Sequence, residues 1–148
     1  MTLRMPIAIM SFDRPQYLQA VLQSLARQHW PATLEPQFFL FQDSAKSGRT
    51  GAALGDEDAA AASVRVFQRY FPDGVVVQAE HNLGVARNFD RAERVFFEDL
   101  RAEAAVFLED DMVLSRYYFA AMAELAEIAL RRPEIGMFSA YGLHHFTE

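Results

Sequence analysis

The sequence predicts an α/β fold: a mainly parallel sheet of about five strands with helices on both faces. Two observations predict it. Short apolar runs alternate with segments of helical periodicity, the β-α-β-α rhythm of a parallel sheet. Polar and charged residues gather where the apolar runs stop, and ligands of such sheets bind beyond the carboxyl ends of the strands. Half of the 148 residues (51%) are hydrophobic and 13% are aromatic, enough to build one domain around a core and to set disorder aside.

The elements follow in order. Pro6 to Phe12 is an apolar run and reads as a buried strand. Asp13 can cap the next helix, and Pro15 is tolerated in its first turn. Leu18, Val21, Leu22 and Leu25 then fall on one helical face. Phe38 to Phe41 is a second strand ending at Gln42-Asp43. Ser44 to Gly55, rich in Gly, Ser and Ala, reads as a loop. Asp56 to Tyr70 is a helix and Val75 to Val77 a third strand. Gly84 to Leu100 reads as one helix, with Phe89, Ala92, Phe96 and Leu100 on its inner stripe. Ala105 to Leu108 is the fourth strand. Ser115 to Arg131 is helical, with Tyr118, Met122, Leu125 and Ala129 turned inward. Pro133 stops it, and Ile135 to Tyr141 makes a fifth strand. The chain has no internal repeat, linker or low-complexity tail.

Charge and composition narrow the function. A net charge of -6 argues against a nucleic-acid backbone as the main partner. The absence of cysteine excludes disulfides, thiolate metal sites and cysteine nucleophiles. Lys46 is the sole lysine among many arginines, a bias that reads as genomic composition rather than function. No signal-peptide pattern and no apolar run of transmembrane length occur, so a cytoplasmic protein is expected.

Four polar groups end strands: Asp13-Arg14, Asp43-Ser44, Glu80-His81-Asn82 and Glu109-Asp110-Asp111. Taken singly, each has a plain structural reading. Asp13 is a helix cap, Asp43 a turn residue, His81 a structural histidine, and Arg87 an exposed residue on a first helical turn. Arg14 fits less well, because a cation at a helix N-terminus opposes the helix dipole. The three consecutive carboxylates repel one another. They are either a solvated strand end or a site awaiting a cation or sugar hydroxyls. Together, on one rim and with both charge signs, the groups suggest a polar ligand carrying phosphate. Ser47 to Gly51 lacks the Gly-Lys-Ser/Thr ending of a P-loop, and no G-x-G-x-x-G follows the first strand. His144-His145 are adjacent, which suits a surface loop better than a metal site.

Phe107-Leu108-Glu109-Asp110-Asp111 resembles the acidic D-x-D signature of GT-A fold glycosyltransferases. Its Glu-Asp-Asp form is most similar to the N-acetylglucosaminyltransferase I family. Ile7 to Arg14 resembles that family's first strand and Asp-Arg turn, and Phe39 to Asp43 its second strand with a uracil-binding Asp. His81 to Asn88 also resembles the N-x-G and A-R-N elements of broader, family-two-like inverting glycosyltransferases. The likeness runs from about Pro6 to Tyr141.

The resemblance implies the Rossmann-like, nucleotide-binding half of a GT-A glycosyltransferase, transferring a sugar from a UDP-sugar to an unidentified hydroxyl acceptor with inversion. It implies that Asp43 accepts from the uracil N–H, that Arg14 lies at the base and that His81 sits against the uridine. Glu109 and Asp110 would accept from ribose or sugar hydroxyls. Asp111 would bind Mn²⁺ or Mg²⁺, hard cations suited to oxygen ligands, and Arg87 would touch phosphate. After Asp111 the acids are Glu124, Glu127, Glu134 and Glu148, none suited to be the base an inverting enzyme needs. Residues 1–148 are therefore expected to be a single donor-binding domain without the acceptor half. Two other classes share the α/β pattern. A phospho-receiver-like signalling domain would carry its acidic pair after the first strand and a lysine after the last. A sugar-phosphate nucleotidyltransferase would carry a Gly-rich basic loop after the first strand. This chain has neither arrangement.

Overall fold

The computed structural model describes residues 2–139. Its centre is β1 (Leu3–Ser11), buried from Met5 to Ser11, a run apolar on both faces as a central parallel strand requires. It is paired in parallel on one side with β2 (Leu34–Gln42) and on the other with β4 (Val106–Glu109). β3 (Val75–Gln78) pairs with β2, giving the order β3-β2-β1-β4. The expected α/β class and parallel sheet are what the chain adopts.

Helices cover both faces. On one, Ile7, Ile9, Leu40 and Leu108 pack with Leu18, Leu22, Phe67 and Phe119 from α1 (Pro15–Ala26), α2 (Glu57–Tyr70) and α4 (Tyr118–Leu130). On the other, Ala8, Met10, Phe39 and Phe41 meet Ala92 and Phe96 of α3 (Val85–Glu93) and the turn after it. Successive residues of β1 and β2 thus feed opposite cores, as strand alternation demands.

Several boundaries differ from expectation for physical reasons. β2 begins four residues early and contains Pro36, where β3 has not yet started: β3 pairs only with Phe39 to Gln42. Pro36 therefore lies where β2 has a neighbour on one side only, and its missing N–H costs no ladder bond on the open side. The helix expected over Gly84 to Leu100 is regular only to Glu93. Residues Arg94–Asp99 are π-helical, and the wider turn leaves Leu100 exposed while Phe96 stays buried. In α4 the buried line is Phe119, Ala123 and Ala126. The expected stripe of Tyr118, Met122, Leu125 and Ala129 lies beside it, half-buried. No strand forms over 135–139; residues 140 and 141 of the expected fifth strand, with His144, His145 and Glu148, lie outside the described residues. Among the described residues the sheet has four strands.

Asp56 caps α2, its Oδ1 accepting from the N–H groups of Asp58 and Ala59 at 2.8 and 3.0 Å. Asp13 does not cap α1. The capping position is Arg14, without a side-chain cap, and Asp13 Oδ2 accepts from the Asp56 N–H at 3.2 Å instead. The carboxylate expected to start one helix ties β1 to the start of another.

Leu40 is fully buried at the centre of the larger core. Leu40→Ala is expected to lower unfolding stability by about 2–5 kcal/mol, against less than about 0.5 kcal/mol for exposed Val113→Ala. Urea denaturation should show a lower midpoint at an unchanged slope.

Candidate functional site

Parallel pairing ends β1, β2, β3 and β4 at one edge, and the four polar groups sit there. A cavity of about 430 Å³ opens between them. Its apolar walls include Phe12, Leu54, Val85 and Phe89, and its polar walls Asp13, Arg14, Asp43, Asn82, Glu109 and Asp110. A larger opening, about 630 Å³, lies between α1 and Val113 to Arg116. It has two arginines, no carboxylate and no strand end in its wall, so the edge cavity is the chemical one.

Asp43 organises this edge. It is 6% exposed. Its Oδ1 accepts from the N–H groups of Ser44 and Leu83, both at 2.8 Å. Its Oδ2 accepts from the Gly84 N–H at 2.9 Å and from Asn82 Nδ2 at 3.3 Å. Four donors fill the accepting positions of one carboxylate, so the charge expected to meet a ligand is used to hold the loop before α3. Gly84 makes that loop possible: its φ of +74° disfavours any side chain. Asn82 also reaches back to Ser44 O (2.8 Å) and Lys46 O (2.7 Å, through its N–H).

Beneath Asp43 lies a polar layer that the sequence reading did not single out. Asn88 Nδ2 donates to Phe41 O at 3.0 Å. Arg91 Nη2 donates to Val77 O (3.1 Å) and Asn88 Oδ1 (2.6 Å), and its guanidinium lies 5.6 Å from the Phe41 ring centre. Burial lowers the pKa of Arg91, and the charge of Asp43 works against that shift. The signal was present: Asn88 and Arg91 fall three apart, beside the apolar stripe of Phe89, Ala92 and Phe96. Ser11 Oγ and Gln42 Oε1 are buried without a hydrogen-bond partner among the described residues, and Ser11 belongs to the cavity wall.

The acidic triplet divides into three environments. Glu109 is exposed at the cavity. Asp110 is 3% exposed and forms a short ion pair with Arg14 Nη2. Asp111 is half-exposed, and its Oδ2 lies 3.3 Å from Arg14 Nη1. Burial raises the pKa of Asp110, and the bond from Arg14 offsets only part of that. For Arg14, burial opposes the charge, but its contacts with Asp110 and Asp111 outweigh burial and its pKa stands above the ordinary value.

The structure thus brings Arg14, Asp43, Glu109 and Asp110 to one cavity and tethers Asp111 beside it through Arg14. It leaves two expected residues outside the wall. His81 is exposed and packs on the loop after β2: a Cβ on Gly48 would stand 2.7 Å from His81 Cδ2. Arg87 is exposed on the first turn of α3.

The donor set fits a hard divalent cation only as a partial site. Asp111 Oδ1 accepts from nothing among the described residues and is an oxygen ligand of the right kind. Among those residues no three His, Asp or Glu side chains converge on a metal position. An ion here would draw on one or two carboxylates and take its remaining ligands from a phosphate and water.

No known family description matches the chain, and no curated protein matches it. Solved structures do. One of S. aureus TarS superposes with a TM-score of 0.57 at 16% identity, over 85% of this chain and 20% of that one. One of TarS 1-349 gives 0.53 at 17% identity, over 88% and 33%. The likeness shows a shared fold, and this chain spans 20% and 33% of those two proteins' lengths.

Two outcomes follow from the geometry. Asp43→Asn places an NH₂ group against backbone N–H donors and is expected to cost about 1–3 kcal/mol, with faster hydrogen exchange at Leu83 and Gly84. For Asp110, the unfolded chain loses its proton at lower pH than the folded one, because the folded pKa is raised. Wild-type stability should therefore fall relative to Asp110→Asn as pH rises from below the ordinary carboxylate pKa through the raised one. Thermal melts across that range measure the difference, which should become independent of pH at the acid end.

Proposed function

We propose that this chain is the donor-binding part of a glycosyltransferase and that the edge cavity takes a nucleotide sugar, UDP-linked. The observation that carries the reading is the convergence of four strand ends on one cavity, with Glu109, Asp110 and Asp111 at the end of β4. Shared fold with TarS, a glycosyltransferase, supports it. At the finer level, the Glu-Asp-Asp signature and the ordered motifs before it carry the likeness to the N-acetylglucosaminyltransferase I family.

In this reading the base enters between Phe12, Leu54, Val85 and Phe89, whose apolar surfaces suit a flat ring. Asp43 contributes to base recognition through the loop it fixes, so that the Asn82 to Val85 backbone meets the ring at a set position. Glu109 and Asp110 accept from ribose or sugar hydroxyls, and Arg14 lies between them and the phosphates. Asp111 offers an oxygen to a divalent cation, Mn²⁺ or Mg²⁺. Such a cation, when bound, would stabilise the charge that gathers on the departing diphosphate. His81 would sit against the uridine and Arg87 would touch phosphate, although neither lines the cavity wall.

No residue described in the cavity wall is proposed as the acceptor's base. Glu124 and Glu127 are exposed on α4, and Glu127 is paired with Arg131 at 3.0 Å. Neither is in the cavity wall, so neither is proposed as the base of an inverting transfer.

Calorimetry with UDP tests the reading. UDP is expected to bind the full chain more tightly with Mn²⁺ present, and Asp111→Asn is expected to remove that gain, weakening metal-supported binding by about tenfold or more. Equal binding by both proteins would contradict the role given to Asp111, and no binding of UDP would contradict the reading itself.

A further inference from the structure

We propose that the groove between α1 and residues 113–116 is a second ligand site, and that Arg27 and Arg116 hold a phosphate monoester there. The site stands apart from the donor-binding reading. Only the role given below to its ligand, that of the acceptor, rests on that reading.

Buried polar side chains fasten the two walls of the groove together. Ser24, in the wall, is buried; its Oγ accepts from the Leu114 N–H at 3.1 Å and donates to Val21 O at 2.7 Å. Gln28, also buried, donates through Nε2 to Ser115 O at 2.7 Å and accepts at Oε1 from the Phe119 N–H at 3.2 Å. The His29 N–H donates to Arg116 O at 2.8 Å. Helix and loop are thus held at a fixed spacing, which spares a ligand the cost of ordering them. The volume, about 630 Å³, is that of a small-molecule site, and apolar surface from Ala20, Val113 and Leu114 with a few polar groups is the usual lining of one.

Each wall contributes one guanidinium. Arg27 caps the C-terminal end of α1, and Arg116 belongs to the loop. Both are exposed, and neither has an acid partner among the described residues. The helix dipole favours a cation at Arg27 but offers nothing to Arg116, which lies on a different element. In a chain of net charge -6, two cations in a wall without a carboxylate make a local positive field. A phosphate monoester carries a charge of about -2 at neutral pH, which matches the pair, and guanidinium forks make parallel bonds to its oxygens. A single carboxylate would answer only one of the two.

The groove lies beside the edge cavity. Asp110 is in the wall of one and Val113 in the wall of the other, so at most about 11 Å of chain separates them. Arg14 and Ala20 make the same connection along α1, over about 9 Å of helix. A ligand anchored in the groove by its phosphate reaches the edge cavity with a hydroxyl carried about 10 Å away, which is the placement an acceptor needs.

The test titrates inorganic phosphate, without nucleotide, into the full chain and follows the Nε resonances of Arg27 and Arg116. Both are expected to shift and saturate together, whereas sodium chloride at matched ionic strength should saturate neither. Acetate should bind at least about fivefold more weakly than phosphate. Arg27→Gln and Arg116→Gln should each weaken phosphate at least about fivefold, read at the arginine that remains. Arg94→Gln, in the turn after α3, should leave it unchanged. Thermal melts verify that each variant folds. Phosphate that shifts neither arginine, or that binds both glutamine variants as it binds wild type, would overturn the site. Equal binding of acetate would overturn the phosphate assignment. With phosphate in place, UDP should move the strand-end amides and leave both arginine resonances unchanged; UDP that displaces phosphate from the groove would overturn the acceptor role. Absence of UDP binding would contradict the donor reading and the acceptor role with it, but not the phosphate site.

Discussion

One carboxylate holds the candidate site together. Asp43 leaves β2 at the sheet edge and accepts from the backbone of Ser44, Leu83 and Gly84 and from the Asn82 side chain. It joins two loops from neighbouring strands, a junction that Asn82 reinforces through Ser44 O and Lys46 O and that Asn88 extends from α3 to Phe41 O. The parallel register supplies the rest. Ser11 stands opposite Gln42, which stands opposite Gln78, so the strands run out of sheet together and deliver their polar ends to one edge.

The opposite wall is held by a charge balance rather than a hydrogen-bond hub. Three successive acids close β4, and Arg14, just beyond the end of β1, answers two of them. Burial makes this balance consequential. A surface ion pair contributes little, but a carboxylate as buried as Asp110 is costly to ionise without its partner. The same balance leaves Glu109 and part of Asp111 open to a ligand.

Much of this was legible in the sequence, and the failures have physical causes. The strands could be read because β1 and β2 are buried on both faces and appear as unbroken apolar runs. The start of β2 could not, because Leu34 to Gln37 looks polar and contains a proline that only an open strand side tolerates. Periodicity found Phe89, Ala92 and Phe96 but could not show the π-helical turn that exposes Leu100, since the wider turn changes the period itself. In the site, residue type and strand-end position found Arg14, Asp43, Glu109 and Asp110. What each carboxylate bonds to depends on loops brought together by the fold, so Asp43's internal donors and the Arg14 bridge were invisible. His81 was picked by strand-end position and motif likeness and Arg87 by motif likeness, and neither lines the cavity wall, since position along the chain does not fix where a loop side chain packs. Arg91 drew no reading from the sequence, because its bonds to Val77 O and Asn88 Oδ1 exist only once α3 is laid against the sheet.

The central claim is that the edge cavity receives the nucleotide. Backbone amide resonances of the ¹⁵N-labelled chain, followed during titration with UDP and Mg²⁺, test it most directly. The account predicts that the shifts concentrate on Ser11 to Arg14, Leu54, Leu83 to Val85 and Glu109 to Asp111. Shifts confined to the groove between α1 and Arg116, with the strand ends unmoved, would contradict it.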